Sequence, residues 1–274
     1  MARKYQTALV TGASSGMGKD IAERLLKDGY TVYAAARSVG KMADLESAGA
    51  RVLEMDITKD DQVVAAVEKI MAESGGVDIL VNNAGYGQYG PVEDTPIDTA
   101  RYQFEVNIFG LARVTQLLLP AMREHKKGVV INISSMGGKM YTPMGAWYHA
   151  TKHALEGWSD CLRIELLEHG IDVVVIEPGL INTGFADAVG SSFKVAENSA
   201  YAEFVEKLNK SMEATYGSGT GSPPSVISDL VIRAIRADRP RTRYVAGSMA
   251  KPLLFLRWLL PDRMFDRVIM SQIR

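Results

Sequence analysis

A doubly wound α/β fold, in which a parallel sheet carries helices on both faces, is the fold class that three observations on this 274-residue sequence predict. Short apolar runs alternate with stretches of helical periodicity along the chain. The first run, residues 7–10, leads through a glycine-rich turn into an amphipathic helix. Several later runs end in polar residues, as the ligand-binding strands of open parallel sheets do at their carboxyl ends. This alternation favours right-handed crossovers between parallel strands.

The composition predicts a single domain, residues 1–274, that acts on a small molecule. The formal net charge is −1, from 31 basic and 32 acidic residues, so neither a nucleic-acid surface nor a charged tail is indicated. Cys161 is the only cysteine, which excludes an intramolecular disulfide and a cysteine metal cluster and predicts a cytoplasmic protein without a metal site. We expect no signal peptide, and no apolar run approaches the ~18 residues of a membrane-spanning helix.

The turn after the first strand, residues 11–18, contains Gly12, Gly16 and Gly18. Glycines there allow a tight bend, let backbone N–H groups approach a pyrophosphate and let the helix pack close to the strand. Alternatively, such a turn is only a tight connection between two elements. The other candidate dinucleotide contacts in the turn are Ser14, Ser15 and Met17.

The second apolar strand, residues 31–36, ends at Arg37 and Ser38. In dinucleotide folds a carboxylate at this point binds the 2′-hydroxyl of the adenosine ribose and repels a 2′-phosphate. Here the forked cation of Arg37 suits a phosphate instead. The sequence therefore predicts NADP(H) in preference to NAD(H), with a merely solvated arginine as the alternative.

The next two predicted strands end in polar groups that belong at the same edge of the sheet. Residues 51–56 form the third strand, with Asp56 and then Ile57 at its end. Residues 77–81 form the fourth, followed by Asn82-Asn83-Ala84-Gly85. The paired amides either form a turn or tie neighbouring strands and the cofactor rim together.

Three further features complete the predicted sheet. A helix over residues 99–124 contains Asn107, whose amide needs a partner in an apolar setting. A fifth strand, residues 128–135, ends at Ser134 and Ser135. A helix then spans residues 148–169 and leads to a sixth strand, residues 171–177, closed by Pro178-Gly179, with a seventh at residues 244–246.

Tyr148 and Lys152 are four residues apart, so both side chains project from one face of the predicted helix. A free phenol titrates near pH ~10, and a fixed cation nearby favours the phenolate and lowers that value. Tyr148 is thus a candidate to pass a proton to or from an alcohol or carbonyl. A surface tyrosine beside a solvated lysine is the alternative that this spacing alone does not exclude.

Taken in order, these motifs make the chain similar to the short-chain dehydrogenase/reductase family, and in particular to its NADP-preferring hydroxysteroid and retinol dehydrogenase-like members. The resemblance is strong over residues 5–190. It implies a Rossmann-like sheet of about seven strands in the order 3-2-1-4-5-6-7. It also implies an enzyme that moves a hydride between a nicotinamide and a carbonyl or secondary alcohol carbon, and a homodimer or homotetramer. A non-catalytic NADP(H)-binding regulator is the alternative.

The resemblance also assigns roles to individual residues. It implies that Tyr148 is the acid–base group, that Lys152 lowers its pKa and binds the nicotinamide ribose, and that Ser135 holds the substrate oxygen. Asn107 would anchor a water in a proton relay. Ser15 departs from the family pattern, which often has a basic residue there, and this weakens the NADP inference. The remaining implied cofactor contacts are Asp56 at the adenine, Asn83, Ala84 and Gly85 at the riboses, and Pro178, Gly179, Ile181 and Thr183 at the nicotinamide.

Residues 180–224 are predicted to form an insertion beside the substrate, with an amphipathic helix that is either a lid or permanently packed. The glycine-rich run 217–222 would be its hinge. The side chains expected at the pocket mouth are bulky, which favours a steroid, a retinoid or a long-chain ketone as substrate. They are Tyr86, Tyr89, Met140, Tyr141, Met144, Trp147 and Phe185.

The C-terminal tail, residues 248–274, combines an apolar run at 251–261 with five basic and two acidic side chains from Lys251 onward. Such a segment suits a helix in a membrane interface. We favour the alternative, in which it covers the substrate pocket or a partner subunit.

Overall fold

A computed structural model describes residues 4–184, 198–217 and 220–273 of the chain. Seven parallel strands form one sheet in the order β3-β2-β1-β4-β5-β6-β7, which confirms the predicted fold class and strand order. The strands are β1 (Thr7–Thr11), β2 (Thr31–Ala36), β3 (Arg51–Glu54), β4 (Ile79–Asn82), β5 (Gly128–Ile133), β6 (Ile171–Pro178) and β7 (Arg243–Ala246).

Ten α-helices connect and cover these strands in the described part of the chain. They are α1 (Gly16–Lys27), α2 (Ala43–Ser47), α3 (Asp60–Ser74), α4 (Ile97–Phe104), α5 (Leu111–Glu124), α6 (Ala146–Glu165), α7 (Ala202–Gly217), α8 (Ser225–Arg236), α9 (Ala250–Leu259) and α10 (Asp262–Ser271). None of the described helices is both long enough and apolar enough to cross a membrane.

The core lies in two layers because successive strand residues face opposite sides of the sheet. Ala8 and Val10 of β1 pack with α1, α2 and α8 on one side. Leu9, between them, packs with α3, α5 and α6 on the other. Both faces of the sheet are therefore buried, as the near-continuous apolar runs of the strands require.

Two strands end earlier than predicted. β3 stops at Glu54 because the Asp56 carboxylate accepts bonds from the backbone N–H of Thr58 at 3.0 Å and from its hydroxyl at 2.8 Å, which turns the chain. β5 stops at Ile133, and Ser135 begins a short 3₁₀ turn, Met136–Gly138.

The predicted long helix at residues 99–124 is three segments: α4, a π-helical turn at Glu105–Gly110, and α5. Gly110 allows a close approach here, since a Cβ on it would lie 2.5 Å from the carbonyl oxygen of Ile57. π turns occur often at functional sites. Asn107 lies in this turn.

The insertion and the tail add helices that the sequence pattern only partly indicated. α8 and α10 were not predicted, whereas α9 coincides with the apolar run of the tail. Phe185 and part of the predicted hinge, residues 218–219, lie outside the described residues.

Candidate active site

A crevice opens at the carboxyl ends of β1 and β4. The strands that follow β1 lie on one side of this pair and the strands that follow β4 lie on the other, so the connections diverge there. Two connected cavities occupy the crevice. The polar cleft extends over the ends of β1 and β2, and the apolar cavity, of about 450 Å³, extends toward α6, α9 and α10. Both are bordered by Met17, Asn83, Gly85, Tyr86 and Thr183. A ligand that crosses this border would reach both.

The glycine turn and the end of β4 are bonded to each other below the polar cleft. The amide of Asn83 donates to the carbonyl oxygens of Thr11 at 3.0 Å and Gly12 at 3.2 Å. The hydroxyl of Thr11 accepts the backbone N–H groups of Asn83 and Ala84, each at 3.1 Å. The sequence left two alternatives for the paired amides, a turn or a tie between neighbouring strands. These hydrogen bonds favour the tie.

The shape of the turn fits a dinucleotide. Gly12 has φ +67°, and a Cβ on it would lie 2.9 Å from Cα of Ala84. A Cβ on Gly18 would overlap Asn83 and Gly12, so this glycine serves close packing and lies outside the cleft lining. α1 begins at Gly16, has no acidic residue in its first turn, and directs its free N–H groups at the cleft, where a pyrophosphate is stabilised.

Most of the residues predicted to bind the cofactor border the polar cleft. They are Gly12, Ser14, Ser15, Gly16, Met17, Arg37, Ser38, Asp56, Ile57, Asn83, Ala84, Gly85 and Thr183. The nicotinamide-side residues Pro178, Gly179 and Ile181 border the apolar cavity instead, together with Tyr148 and Lys152. Lys41 also lines the polar cleft, close in sequence to Arg37 and Ser38. No carboxylate lies at the end of β2.

Ser135, Tyr148 and Lys152 converge on the apolar cavity from two elements, the end of β5 and α6. Tyr148 is buried, with 7% of its surface exposed. The Nζ atom of Lys152 donates to the carbonyl oxygen of Ile133 at 2.9 Å and lies 6.0 Å from the centroid of the Tyr148 ring. Burial lowers the pKa of Lys152 to about 8, although the nearby charge of Glu156 opposes this. The side chain therefore still carries its proton at neutral pH.

The two serines after β5 differ in their bonding. Ser135 accepts a hydrogen bond on Oγ from the backbone N–H of Gly137 at 3.0 Å. Ser134 is buried, and its hydroxyl has no partner among the described residues. In a regular strand neighbouring residues face opposite sides, so only one of the two would reach the cavity, yet both line it. The rule fails here because regular strand geometry has already ended at Ile133.

Asn107 is fully engaged with protein groups. Its Oδ1 accepts the backbone N–H of Tyr86 at 3.1 Å, and its Nδ2 donates to the carbonyl oxygen of Tyr86 at 2.9 Å and to Oγ1 of Thr151 at 3.0 Å. The amide thus ties the loop after β4 to α6, next to Lys152. Its side chain lies outside the lining of both cavities.

A group of charges with two buried carboxylates, Glu156 and Glu177, lies behind Lys152, and no sequence motif indicated it. Glu156 is one helical turn beyond Lys152 and contacts Lys139 at 3.2 Å and Arg243 at 3.0 Å. Arg243 also contacts Glu177, at the end of β6, at 3.4 Å. Burial, followed by the charge of Glu156, raises the pKa of Glu177 to about 7. These contacts join β6, β7 and α6 beneath the site.

The substrate side of the apolar cavity differs from the prediction. Tyr86, Tyr89 and Met140 line it as expected, but Tyr141, Met144 and Trp147 do not. The Tyr141 hydroxyl donates to Asp266 at 2.9 Å. Met144 is in a turn with φ +63°, its carbonyl bonded to the N–H of Gly90 at 2.8 Å. Trp147 precedes Tyr148 and so points about 100° away around α6.

Further lining residues come from the C-terminal part of the chain, where the tail was expected to cover the substrate pocket or a partner subunit. The contributing residues are Leu208 of α7, Met249, Leu253 and Leu256 at α9, and Val268, Ile269, Gln272 and Ile273 at α10. The apolar run at 251–261 was their sequence signal. Lys152 is the only Lys, Arg, Asp or Glu among the described lining residues of this cavity. In the part of the chain that the structure describes, no group of three or more His, Cys, Asp and Glu side chains could hold a metal ion.

Comparison with known proteins places this arrangement among related enzymes. The model of the family described as short chain dehydrogenase matches residues 6–193. The chain is 37% identical to the NADPH-dependent 3-dehydrocapnine reductase of Ornithobacterium rhinotracheale, over 97% of each chain. It is 35% identical to the 3-ketodihydrosphingosine reductase of Bacteroides thetaiotaomicron, over 95% of each chain. The crystal structure of a short-chain dehydrogenase from Streptomyces avermitilis superposes with a TM-score of 0.82, at 34% identity, over 98% of this chain and 99% of that one.

Proposed function

Because this chain belongs to the short-chain dehydrogenase/reductase family, we propose that it is an NADP(H)-dependent oxidoreductase that interconverts a ketone and a secondary alcohol. The observation that carries the proposal is the position of Ser135, Tyr148 and Lys152 on one cavity, which continues into a glycine-lined cleft. A non-catalytic regulator would have no need of this set of side chains on a cavity large enough for a substrate.

In the proposed reaction the chain supplies a proton and a fixed site for the reacting oxygen. A bound nicotinamide supplies the hydride that joins the carbonyl carbon. The Ser135 hydroxyl donates a hydrogen bond to the carbonyl oxygen and stabilises the negative charge that develops there. Tyr148 donates its proton to the same oxygen, which completes the alcohol. In the reverse direction Tyr148 accepts that proton.

Lys152 supports Tyr148 through its charge. Its ammonium lies close to the Tyr148 ring and favours the phenolate that remains after proton transfer. The ammonium uses one N–H group in the bond to the Ile133 carbonyl, which leaves two N–H groups for the nicotinamide ribose. Because the Asn107 amide is engaged by Tyr86 and Thr151, we propose that the water of the relay binds a backbone carbonyl of the π turn at Glu105–Gly110 rather than this side chain.

The preference for NADP(H) rests on the end of β2. Arg37, Ser38 and Lys41 line the polar cleft, and neither cation has an ion-pair partner among the described residues. Two exposed cations beside a hydroxyl suit a 2′-phosphate. The curated relative whose name includes NADPH dependence supports the same assignment.

The substrate that we propose is a bulky apolar ketone. Leucine, isoleucine and methionine side chains dominate the cavity lining, and among the described lining residues the only formal charge is that of Lys152. A keto acid or a sugar would find few charged or polar partners. Among steroids, retinoids and long-chain ketones, the names of two relatives favour a 3-keto compound, with 3-ketodihydrosphingosine as the first substrate to test.

We propose that α7, α9 and α10 together form the wall of the substrate cavity. Val205 and Leu208 of α7 are buried, which suits a packed helix as well as a closed lid. On α9, Leu253 and Leu256 face the cavity, whereas Phe255 and Trp258 are exposed on the opposite side. The inner face thus covers the substrate. A cytoplasmic location is part of the proposal on composition alone.

A homodimer or homotetramer is proposed to form through α5 and α6. The outer face of α6 carries a stripe of exposed small and apolar side chains at helical spacing, which suits close packing of a second helix. The stripe consists of Ala150, Ala154, Gly157, Cys161 and Ile164. Phe109, in the π turn that leads into α5, is also exposed.

The test of the proposed function is the Tyr148→Phe variant with NADPH and 3-ketodihydrosphingosine, followed by NADPH absorbance. Wild type should oxidise NADPH only when a ketone is present. The variant lacks only the phenolic hydroxyl, so kcat should fall by about 10³-fold or more while the Kd for NADPH stays within about twofold. A variant with half the wild-type rate would remove Tyr148 from its role. A wild type that binds NADPH but turns over no compound in a panel of ketones would favour the regulator.

A further inference from the structure

His149 follows Tyr148 on α6 and is buried, with 6% of its surface exposed. Its Nδ1 lies 2.9 Å from the carbonyl oxygen of Gly137, and its Nε2 lies 3.0 Å from the backbone nitrogen of Thr142. Because a backbone N–H can only donate, Nε2 must be the acceptor from Thr142. The proton of the neutral ring is therefore on Nδ1, which donates to Gly137.

Gly137 connects this ring to Ser135. Its carbonyl accepts from His149, and its N–H donates to Oγ of Ser135 at 3.0 Å. A Cβ on Gly137 would lie 2.9 Å from Nδ1 of His149 and 3.3 Å from Oγ of Ser135, so the three groups are in close contact. With one lone pair of its oxygen bonded to Gly137, the Ser135 hydroxyl has its proton available for the cavity.

The residues packed around the His149 ring fix its position. A Cβ on Gly145 would lie 2.6 Å from Cδ2 of His149, so the glycine makes room for it. Tyr89 contacts the ring edge-on, with centroids 6.2 Å apart. Burial lowers the pKa of His149, opposed by the bond to Gly137 and reinforced by the charge of His153. The neutral ring is thus favoured at neutral pH. Nε2 also lies 3.0 Å from Oγ1 of Thr142, whose hydroxyl donates to it beside the backbone N–H when Nε2 is unprotonated.

We propose that His149, as the neutral Nδ1–H tautomer, is a positioning residue that holds Gly137 so that the Ser135 hydroxyl directs its proton at the substrate oxygen. The proposal rests on the proposed function, because Ser135 has a substrate oxygen to bind only in that reaction. It adds a residue for which no sequence motif indicated a role. A misplacement of about 1 Å in such a donor can cost on the order of a hundredfold in rate.

Three substitutions of His149 separate this role from simple packing. The amide nitrogen of asparagine lies as far from the backbone as Nδ1, and that of glutamine as far as Nε2. His149→Asn therefore keeps a donor for Gly137, His149→Gln places its amide at Thr142, and His149→Phe keeps only the ring. The matched control is His125→Gln, which removes an exposed histidine at the end of α5, away from His149.

Steady-state kinetics with NADPH and the ketone should show kcat lowered about tenfold to a hundredfold in His149→Phe and His149→Gln. The Kd for NADPH, from its fluorescence, should stay unchanged in both. His149→Asn should recover to within about threefold of wild type, and His125→Gln should equal wild type. Equal losses in the Asn and Gln variants, or a His149→Phe variant with wild-type kcat, would overturn the proposal.

A second measurement does not depend on the variants folding or on the substrate. In full-length wild type with ¹⁵N-labelled histidine and saturating NADP⁺, the His149 ring should show a protonated Nδ1 and an unprotonated Nε2 at pH 7. The reverse tautomer, or an imidazolium, would contradict the inference. A wild type without ketone reductase activity would contradict the proposed function instead, while the tautomer would still test the contact to Gly137.

Discussion

Lys152 donates a hydrogen bond of 2.9 Å from its ammonium to the carbonyl oxygen of Ile133, the last residue of β5. The lysine is buried, and burial lowers its pKa to about 8 against the opposing charge of Glu156. A cation in this position has lost most of its hydration, and one hydrogen bond offsets only part of that loss. The site is therefore maintained at a cost in folding stability.

Lys152→Met should raise stability at pH 7.5 by about 1–2 kcal/mol while it lowers kcat by several orders of magnitude, because methionine fills the volume without a buried charge. In wild type the unfolded lysine, with a pKa near ~10.4, binds more protons than the folded one above pH 8. Wild-type stability should thus rise relative to the variant between pH 8 and about 10.4.

Urea denaturation of both proteins at pH 7.5 and 9.5 measures this difference, which should shrink by about 1–2 kcal/mol over the interval. Lys69→Met, on the exposed side of α3, is the control and should show no such pH dependence. A Lys152→Met variant less stable than wild type at pH 7.5 would mean that the bond to Ile133 outweighs the burial cost.

Arg37→Ala should reduce the preference for NADPH over NADH by about tenfold to a hundredfold, since a charge-assisted contact to phosphate contributes roughly 1.5–3 kcal/mol. The measurement is kcat/KM with each cofactor at fixed salt. Lys41→Ala is the matched comparison, because Lys41 lines the same cleft. A larger effect from Lys41 than from Arg37 would move the phosphate site to Lys41.

Leu256→Ala should raise KM for an apolar ketone by about three- to tenfold, because Leu256 faces the substrate cavity. Trp258→Ala, on the other face of α9 where the indole is 79% exposed, should leave KM unchanged.

In liposome flotation, wild type and Trp258→Ala should partition equally to anionic vesicles. Enrichment of wild type alone would instead identify this face as a membrane contact.

Gly157→Arg should convert the oligomer to a monomer in sedimentation velocity at micromolar concentration. A Cβ on Gly157 meets no atom within 4 Å, so the chain itself tolerates a side chain there, whereas a helix packed on the stripe would not. Glu68→Arg on α3 is the control for an added charge. A wild type that sediments as a monomer would exclude both proposed assemblies.

The sequence by itself determined the sheet. The apolar runs and the helical spacing indicated the number of strands and the helices on both faces, since a parallel sheet buried on both faces leaves a strong local pattern. The strand order was what the resemblance to the short-chain dehydrogenase/reductase family implied. The sequence also indicated which side chains belong at the crevice, because Gly12, Arg37, Asn83, Ser135 and Tyr148 each end or follow a recognisable element. Local chemistry was sufficient for these predictions.

Only the tertiary structure decided the contacts between distant segments. The wall contributed by α9 and α10 and the contacts of Arg243 with Glu156 and Glu177 depend on how segments far apart in the sequence pack. The tautomer of His149 depends on Gly137 and Thr142, which reach it through an irregular turn. Such contacts depend on packing and hydrogen-bond geometry in three dimensions. Unlike the burial of a helix or strand face, they leave no periodic pattern in the sequence.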